Sequence, residues 1–264
     1  MCMRIAVVFL TRFPEQETLD FANKIALENK FDVYIVSDEN REVENKNVTI
    51  IRLDDSVCVN SGYINSNISN NSTHIKKNPI AWDKMLYYFC KINTNHDFVW
   101  VFEDDCFIPK VSTINKLNKK YNSFDLVTPN HFLKTDNLLD WHWRSIVDKI
   151  EPPYYYSMVC GCGISRKMFK TIDNYVQEKN ELFYIEVMFN TLAQHNNLNV
   201  IDAFELKSIV WMGKWEIDEW LLLPNNVFHP KKDLSQYENY RKQIEKAKRN
   251  KYEPINTLPP FLLP

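Results

Sequence analysis

FVWVFEDDCFIP, residues 98–109, begins as an unbroken run of β-branched and aromatic residues and then gives way to three carboxylates, Glu103, Asp104 and Asp105. Residues 98–102 read as a strand buried on both faces, the kind that occupies the middle of a sheet. The end of such a strand is where an open α/β sheet forms its ligand crevice. Three adjacent carboxylates repel one another and lose solvation there unless a cation or a donor-rich ligand compensates them. The plainer reading is a solvated turn after a strand, where Asp is common in any case.

On the N-terminal side, residues 4–10 predict a buried strand. Residues 15–29 predict a helix with Leu19, Ala22, Ile25 and Ala26 on one face, and residues 31–37 a second strand. Residues 48–53 predict a third. This strand–helix–strand order implies a parallel sheet, so the expected class is α/β, with a mixed, mainly parallel central sheet flanked by helices. The Asn- and Ser-rich stretch 56–78 reads as a mobile surface insertion. A helix over 79–93 opens with Pro in its first turn.

Beyond the acidic triplet, 111–121 predicts a helix and 124–128 a strand. Residues 129–156 are irregular and aromatic, with Trp141, Trp143, Tyr154, Tyr155 and Tyr156. Aromatics at this density outside regular elements either fill a core or line a pocket, and Trp and Tyr suit a sugar ring. Gly161 and Gly163 are two of only four glycines in the chain. Their alternation suggests close backbone approach, to a ligand or to another segment. Residues 166–177 and 181–196 predict helices, the second carrying Glu186 among Leu182, Phe183, Ile185, Val187, Met188 and Phe189. Short strands are expected at 199–204 and 208–212, followed by a strand end bearing His229, Lys231 and Lys232. Residues 235–250 form a basic helix, expected as a solvated, salt-bridged face or a membrane-surface contact. Residues 252–264 read as an extended, Pro-rich arm.

The chain has 264 residues and a formal charge of −2, which argues against nucleic acid as a partner. No apolar run approaches ~18 residues, so no membrane span is expected. No apolar leader follows Met1, so a cytoplasmic location with reduced cysteines is expected. Neither an internal repeat nor a boundary is evident. We expect one domain over 1–264, with a nucleotide-binding half (1–110), an acceptor half (111–232), and the basic helix with its arm (233–264).

The order of an acidic triplet after a buried strand, a glycine pair, a lone carboxylate on an apolar helix and a late His resembles the nucleotide-sugar-dependent glycosyltransferases of the GT-A fold. Within that fold it looks most like the lipopolysaccharide and collagen galactosyltransferase group. It spans about residues 4–232. The resemblance implies a GT-A-like, Rossmann-like fold. It also implies transfer of a sugar from a nucleotide diphosphate-sugar, a UDP-sugar first among them, to a hydroxyl acceptor on a glycan. Asp105 matches the last acid of the DxD motif as direct metal ligand, and His229 the remaining protein ligand, for Mn²⁺ or Mg²⁺. Glu103 would reach the ribose or a metal-bound water, and Asp104 either. Lys231 or Lys232 would add charge to the leaving phosphates.

A carboxylate on a largely apolar helix has a raised pKa and suits general-base work near neutrality. Glu186 is therefore the expected base of an inverting reaction, with Glu181 as fallback and a helix-surface Glu as the plainer reading. Thr11, Arg12 and Asp38, at the exits of the first two strands, are expected near the donor's base and ribose. Trp141, Trp143, Tyr155, Gly161 and Gly163 are expected on the acceptor side, with Trp211 and Trp215 as second candidates. Two other functions fit the same features. One is a nucleotidyltransferase acting on sugar phosphates, which normally brings a Gly-rich first loop that Thr11-Arg12-Phe13-Pro14 lacks. The other is a non-catalytic sugar- or nucleotide-binding relative.

Overall fold

A computed structural model describes residues 3–39, 42–67, 79–135, 143 and 146–249. Trp141, residues 68–78 of the Asn/Ser-rich stretch and the arm at 252–264 lie outside the described residues.

The predicted strand at the heart of the chain is β4 (Phe98–Glu103), buried along its apolar length. Its residues alternate between two cores, as the period-2 geometry of a strand requires. Val99 and Val101 face one core with Trp82, Phe169 and Phe189. Phe98, Trp100 and Phe102 face the other, with Leu19, Ile25 and Ile114. Helices therefore cover both faces, which explains the near-continuous apolar run. Each large apolar side chain withdrawn from water contributes about 1.5–3 kcal/mol.

On either side of β4 lie β1 (Ile5–Thr11), paired in parallel, and β8 (Gly161–Ser165), paired antiparallel. With β2 (Asp32–Ser37), β3 (Thr49–Ile51), β5 (Leu126–Thr128) and β9 (Val200–Asp202), the sheet has seven strands in the order β3-β2-β1-β4-β8-β5-β9. Every strand but β8 runs in one direction. The mixed, mainly parallel Rossmann-like α/β class is as the sequence predicted. A two-residue ribbon, β6 (Phe132–Leu133) with β7 (Tyr155–Tyr156), lies apart from the sheet. Helices α1 (Gln16–Ala26) and α4 (Val111–Tyr121) pack on the second core. Helices α3 (Ala81–Tyr87), α5 (Arg166–Lys179) and α6 (Ile185–His195) pack on the first. The chain leaves β1 toward β2 and β3, then returns to place β4 on the other side of β1. The order thus reverses between β1 and β4, and a crevice opens at their carboxyl ends.

Gly161 and Gly163 belong to the sheet and not to an acceptor pocket, which corrects the sequence reading. They face Phe102 and Trp100 across the β4–β8 ladder. A Cβ on Gly163 would stand 2.6 Å from Phe98 Cζ, and one on Gly161 2.6 Å from Ile209 Cδ1. The space their missing side chains leave is filled by the core.

Other boundaries shifted for local reasons. Residues 55–67 are packed, not a mobile insertion. Asp54 caps α2 (Asp55–Asn60) by accepting from Ser56 N–H at 2.8 Å. The buried Tyr63 donates to Asp173 (2.6 Å). The predicted helix 79–93 is two pieces, α3 and one π-helical turn over Tyr88–Ile92. The predicted strand 208–212 reduces to a single bridge between Ile209 and His229. The last third builds a third apolar cluster from α7 (Ile217–Leu222) and α8 (Tyr237–Arg249), around Phe107, Trp220, Phe228, Tyr237 and Ile244. The basic helix is therefore half core. Arg241 stacks 3.7 Å from the Phe21 ring centroid and donates from Nε to Ile108 O at 3.1 Å.

Candidate active site

A cleft of about 470 Å³ opens at the carboxyl end of β4, lined by Trp82, Glu103, Asp105, Cys160, Tyr184, Glu186, Trp211, His229 and Lys232 among others. The acidic triplet splits as the chain turns out of the strand. Glu103 is still in β4, its N–H bonded to Cys160 O at 2.8 Å. The Trp82 indole donates to its Oε1 at 2.6 Å. Burial pushes the Glu103 carboxyl above its usual range, and the indole hydrogen bond opposes that push. Asp104 points the other way, toward β1, where the Thr11 hydroxyl donates to its carboxylate. Burial raises it to about 6.

Asp105 returns to the cleft. Its Oδ1 is buried without a hydrogen-bond partner and stands 3.3 Å from His229 Nε2, an ion-pair distance but not a well-formed hydrogen bond. His229 is fixed from behind. Its carbonyl accepts from Trp215 Nε1 at 2.8 Å, and its Nδ1 faces Val210 O at 2.9 Å. A carbonyl can only accept, so Nδ1 carries a proton and Nε2 is the atom offered to the cleft. Burial alone would lower the His229 pKa, but the Asp105 carboxylate outweighs it and the net shift is upward.

These features fit a divalent cation. An orphaned carboxylate oxygen, a second carboxylate held by an indole and an imidazole backed by a carbonyl are donors that could hold one, each but the first steadied by an outer partner. Glu103, Cys160 and His229 each offer one ligand atom, and the three atoms lie within 4.8 Å of one another. Of the expected ligands, His229 stands in that trio, and Asp105 stands beside His229 at 3.3 Å without being one of the three.

Glu186 lies in the first turn of α6 and lines the same cleft. Burial raises its carboxyl to about 7, with a Tyr184 hydrogen bond acting in the opposite sense. It also borders a second cavity of about 300 Å³ walled by Phe132, Trp143, Tyr156, Val187 and Trp211. The start of α6 is set by residues 62–67, where Leu182 N–H bonds Ile64 O (3.0 Å) and Ile185 N–H bonds Ser66 O (2.9 Å). Ser66 N–H in turn bonds the buried Asp83 carboxylate at 3.1 Å.

Several expected residues stand elsewhere. Glu181 precedes α6 and is paired with Lys149, so it is no substitute base. Asp38 accepts from Ala81 N–H at 2.6 Å and is spent on the start of α3. Arg12 is exposed and paired with Glu39 at 3.3 Å. Lys231 donates to Trp215 O at 3.2 Å and lies over the Trp220 and Tyr240 rings, so Lys232 is the lysine on the cleft. Tyr155 stacks on His131 (4.7 Å, 12°) and Tyr156 takes its place on the cavity wall. Trp215 is buried behind His229, whereas Trp211 is exposed and lines both cavities. Trp82, Tyr184 and Cys160 are the site residues the sequence did not single out. Trp82 sits on a helix with no motif, and Cys160 stands in a Cys-Gly-Cys with Cys162, a spacing too tight to signal a zinc pair.

No protein-family model and no curated protein matches the sequence. Among solved structures the chain is similar to 4-diphosphocytidyl-2C-methyl-D-erythritol synthase from Anaerococcus prevotii. The identity is 9% and the TM-score 0.39, over 92% of this chain and 96% of that one. A likeness this loose carries no argument about chemistry, which has to come from the cleft itself.

Proposed function

We propose that this chain is a divalent-cation-dependent transferase that moves a sugar from a nucleotide diphosphate-sugar to a hydroxyl acceptor. One observation carries the reading: Glu103, Asp105, His229 and Glu186 converge on a single cleft at the carboxyl end of the central strand β4. Glu103, Asp105 and His229 hold the cation, Mn²⁺ or Mg²⁺, which when bound neutralises charge on the departing diphosphate. Lys232 adds positive charge at the rim. The nucleotide lies toward the exits of β1 and β2, where Thr11 fixes Asp104.

Glu186 takes the proton from the acceptor hydroxyl. Its pKa of about 7 makes it half-ionised near neutrality and basic enough to accept that proton. Its place between the cleft and the aromatic cavity puts the acceptor over Trp143, Tyr156 and Trp211, whose rings suit the apolar face of a sugar. A base on the acceptor side favours inversion.

Thermal shift with UDP, GDP and TDP, each with and without Mn²⁺, tests the donor site. A ligand at 100 times its Kd stabilises by about 2.7 kcal/mol. The expected result is stabilisation by at least one nucleotide only with the cation, followed by release of that nucleotide from its sugar conjugate. Release of pyrophosphate from a nucleoside triphosphate and a sugar phosphate would instead identify a nucleotidyltransferase. Binding without turnover of any substrate would leave a sugar- or nucleotide-binding protein.

A further inference from the structure

The oxygen and nitrogen donors of the cleft are joined by a sulfur. Cys160 precedes β8 and lines the cleft, and its ligand atom lies within 4.8 Å of those of Glu103 and His229. Among the described residues no other three His, Cys, Asp or Glu side chains come together in this way. Its carbonyl is occupied by Glu103 N–H (2.8 Å) and by the Cys106 thiol (3.1 Å), so the backbone is pinned and the thiol faces the carboxylate.

We infer that Cys160 Sγ is a direct ligand of the cation. The site is then a mixed sulfur–nitrogen–oxygen one, suited to thiophilic first-row cations such as Zn²⁺ and Co²⁺ and unsuited to Mg²⁺. This rests on the cation site of the proposed transferase and narrows the cation named there, setting Mg²⁺ aside. Bonds of about 2.3 Å to sulfur and 2.0–2.2 Å to nitrogen and oxygen place tetrahedral ligands roughly 3.3–3.7 Å apart. Asp105 and His229 already stand at 3.3 Å. The Glu103, Cys160 and His229 atoms, within 4.8 Å, need to close by about 1.5 Å at most. Mg²⁺ takes oxygen donors in octahedral geometry and gains nothing from a thiol, whereas a borderline-soft cation does. On binding, the Cys160 S–H bond breaks, a sulfur–metal bond forms and the proton leaves to solvent, so affinity rises with pH.

The test uses the full chain, metal-free, without nucleotide. Titration with Co²⁺ should produce a near-ultraviolet sulfur-to-cobalt charge-transfer band that saturates at one equivalent. Cys160→Ser should abolish the band, and Cys162→Ser, a buried control two residues on in β8, should keep it. Competition against a chromophoric chelator should show Zn²⁺ held about 10–100-fold less tightly by Cys160→Ser. No band in the wild type, or an unchanged band in Cys160→Ser, overturns the inference while leaving Mn²⁺-dependent nucleotide stabilisation untouched. A band that appears where no nucleotide binds supports this site and removes the transferase reading.

Discussion

The Trp82 indole N–H donates to Glu103 Oε1 at 2.6 Å, joining the first turn of α3 to the end of β4. The same ring packs edge-on against Phe189 of α6 (5.8 Å, 64°), the helix that carries Glu186. One buried side chain thus holds a proposed cation ligand and braces the helix of the proposed base.

Trp82→Phe keeps most of the ring and removes the donor. Losing a hydrogen bond to a buried carboxylate costs about 1.5–3 kcal/mol, and freeing an outer partner weakens metal binding about 10–100-fold. Denaturant unfolding and isothermal titration with Mn²⁺ should show both losses together. Unchanged cation affinity would separate Glu103 from the metal.

Glu186→Gln removes the base without changing shape. Turnover should fall by roughly 10²–10⁴, with nucleotide affinity intact. In the wild type, kcat/KM should rise with pH through about 7 and level off above it, because only the ionised carboxylate accepts a proton. Stability runs the other way. A folded pKa above the unfolded 4.5 favours the protonated form, so this group costs stability progressively from pH 4.5 to 7. Unfolding at pH 5 and pH 8 should find the Gln variant gaining on wild type at the higher pH, by up to about 3 kcal/mol. The same difference at both pH values would mean that Glu186 titrates normally.

Gly163→Ala tests the sheet role of the glycine pair. The added methyl meets the Phe98 ring at 2.6 Å and Trp100 at 3.0 Å, both fully buried. Overpacking of that kind costs about 1–3 kcal/mol. Thermal unfolding should register that cost, and the affinity for acceptor should not move once the protein is folded.

Those glycines show where sequence reasoning stops. Strong period-2 and period-3.6 patterns made β1, β2, β4 and the helices around them legible, because burial of one face or of both writes itself into the chain. The meeting of Asp105 with His229 was reached through a resemblance, since no local pattern joins residues so far apart. Gly161 and Gly163 signalled close approach, but a sequence cannot say whether a ligand or a Trp ring approaches. Tyr155 and Tyr156 are indistinguishable until the direction of a two-residue strand is known, because neighbours point to opposite faces. Asp38 was plausible as a loop acid and Glu181 as a helix acid in reserve, and each turned out to be paired within the fold.

Arg241 settles whether the C-terminal helix is an appendage or part of the body. Its guanidinium covers the Phe21 ring at 3.7 Å, approaches Phe107 and Tyr237, and donates to Ile108 O. Burial lowers its pKa to about 10, still well above neutrality, so it stays charged. Glu238 on the same helix reaches Lys24 of α1 at 2.7 Å, but both side chains are near half exposed and that pair contributes at most about 1 kcal/mol. Arg241→Ala strips the stacking and leaves a buried carbonyl unmet, for an expected loss of about 2–4 kcal/mol. Glu238→Ala should lose less than about 1 kcal/mol. The helix also touches the site, since Tyr237 donates its hydroxyl to Lys231 O at 2.5 Å and lies 3.3 Å from Asp104 O. Destabilisation by Arg241→Ala should therefore be accompanied by weaker nucleotide stabilisation in the presence of Mn²⁺. If Arg241→Ala instead unfolds like wild type, α8 is a solvated basic face. Binding to anionic vesicles would then be the property to measure.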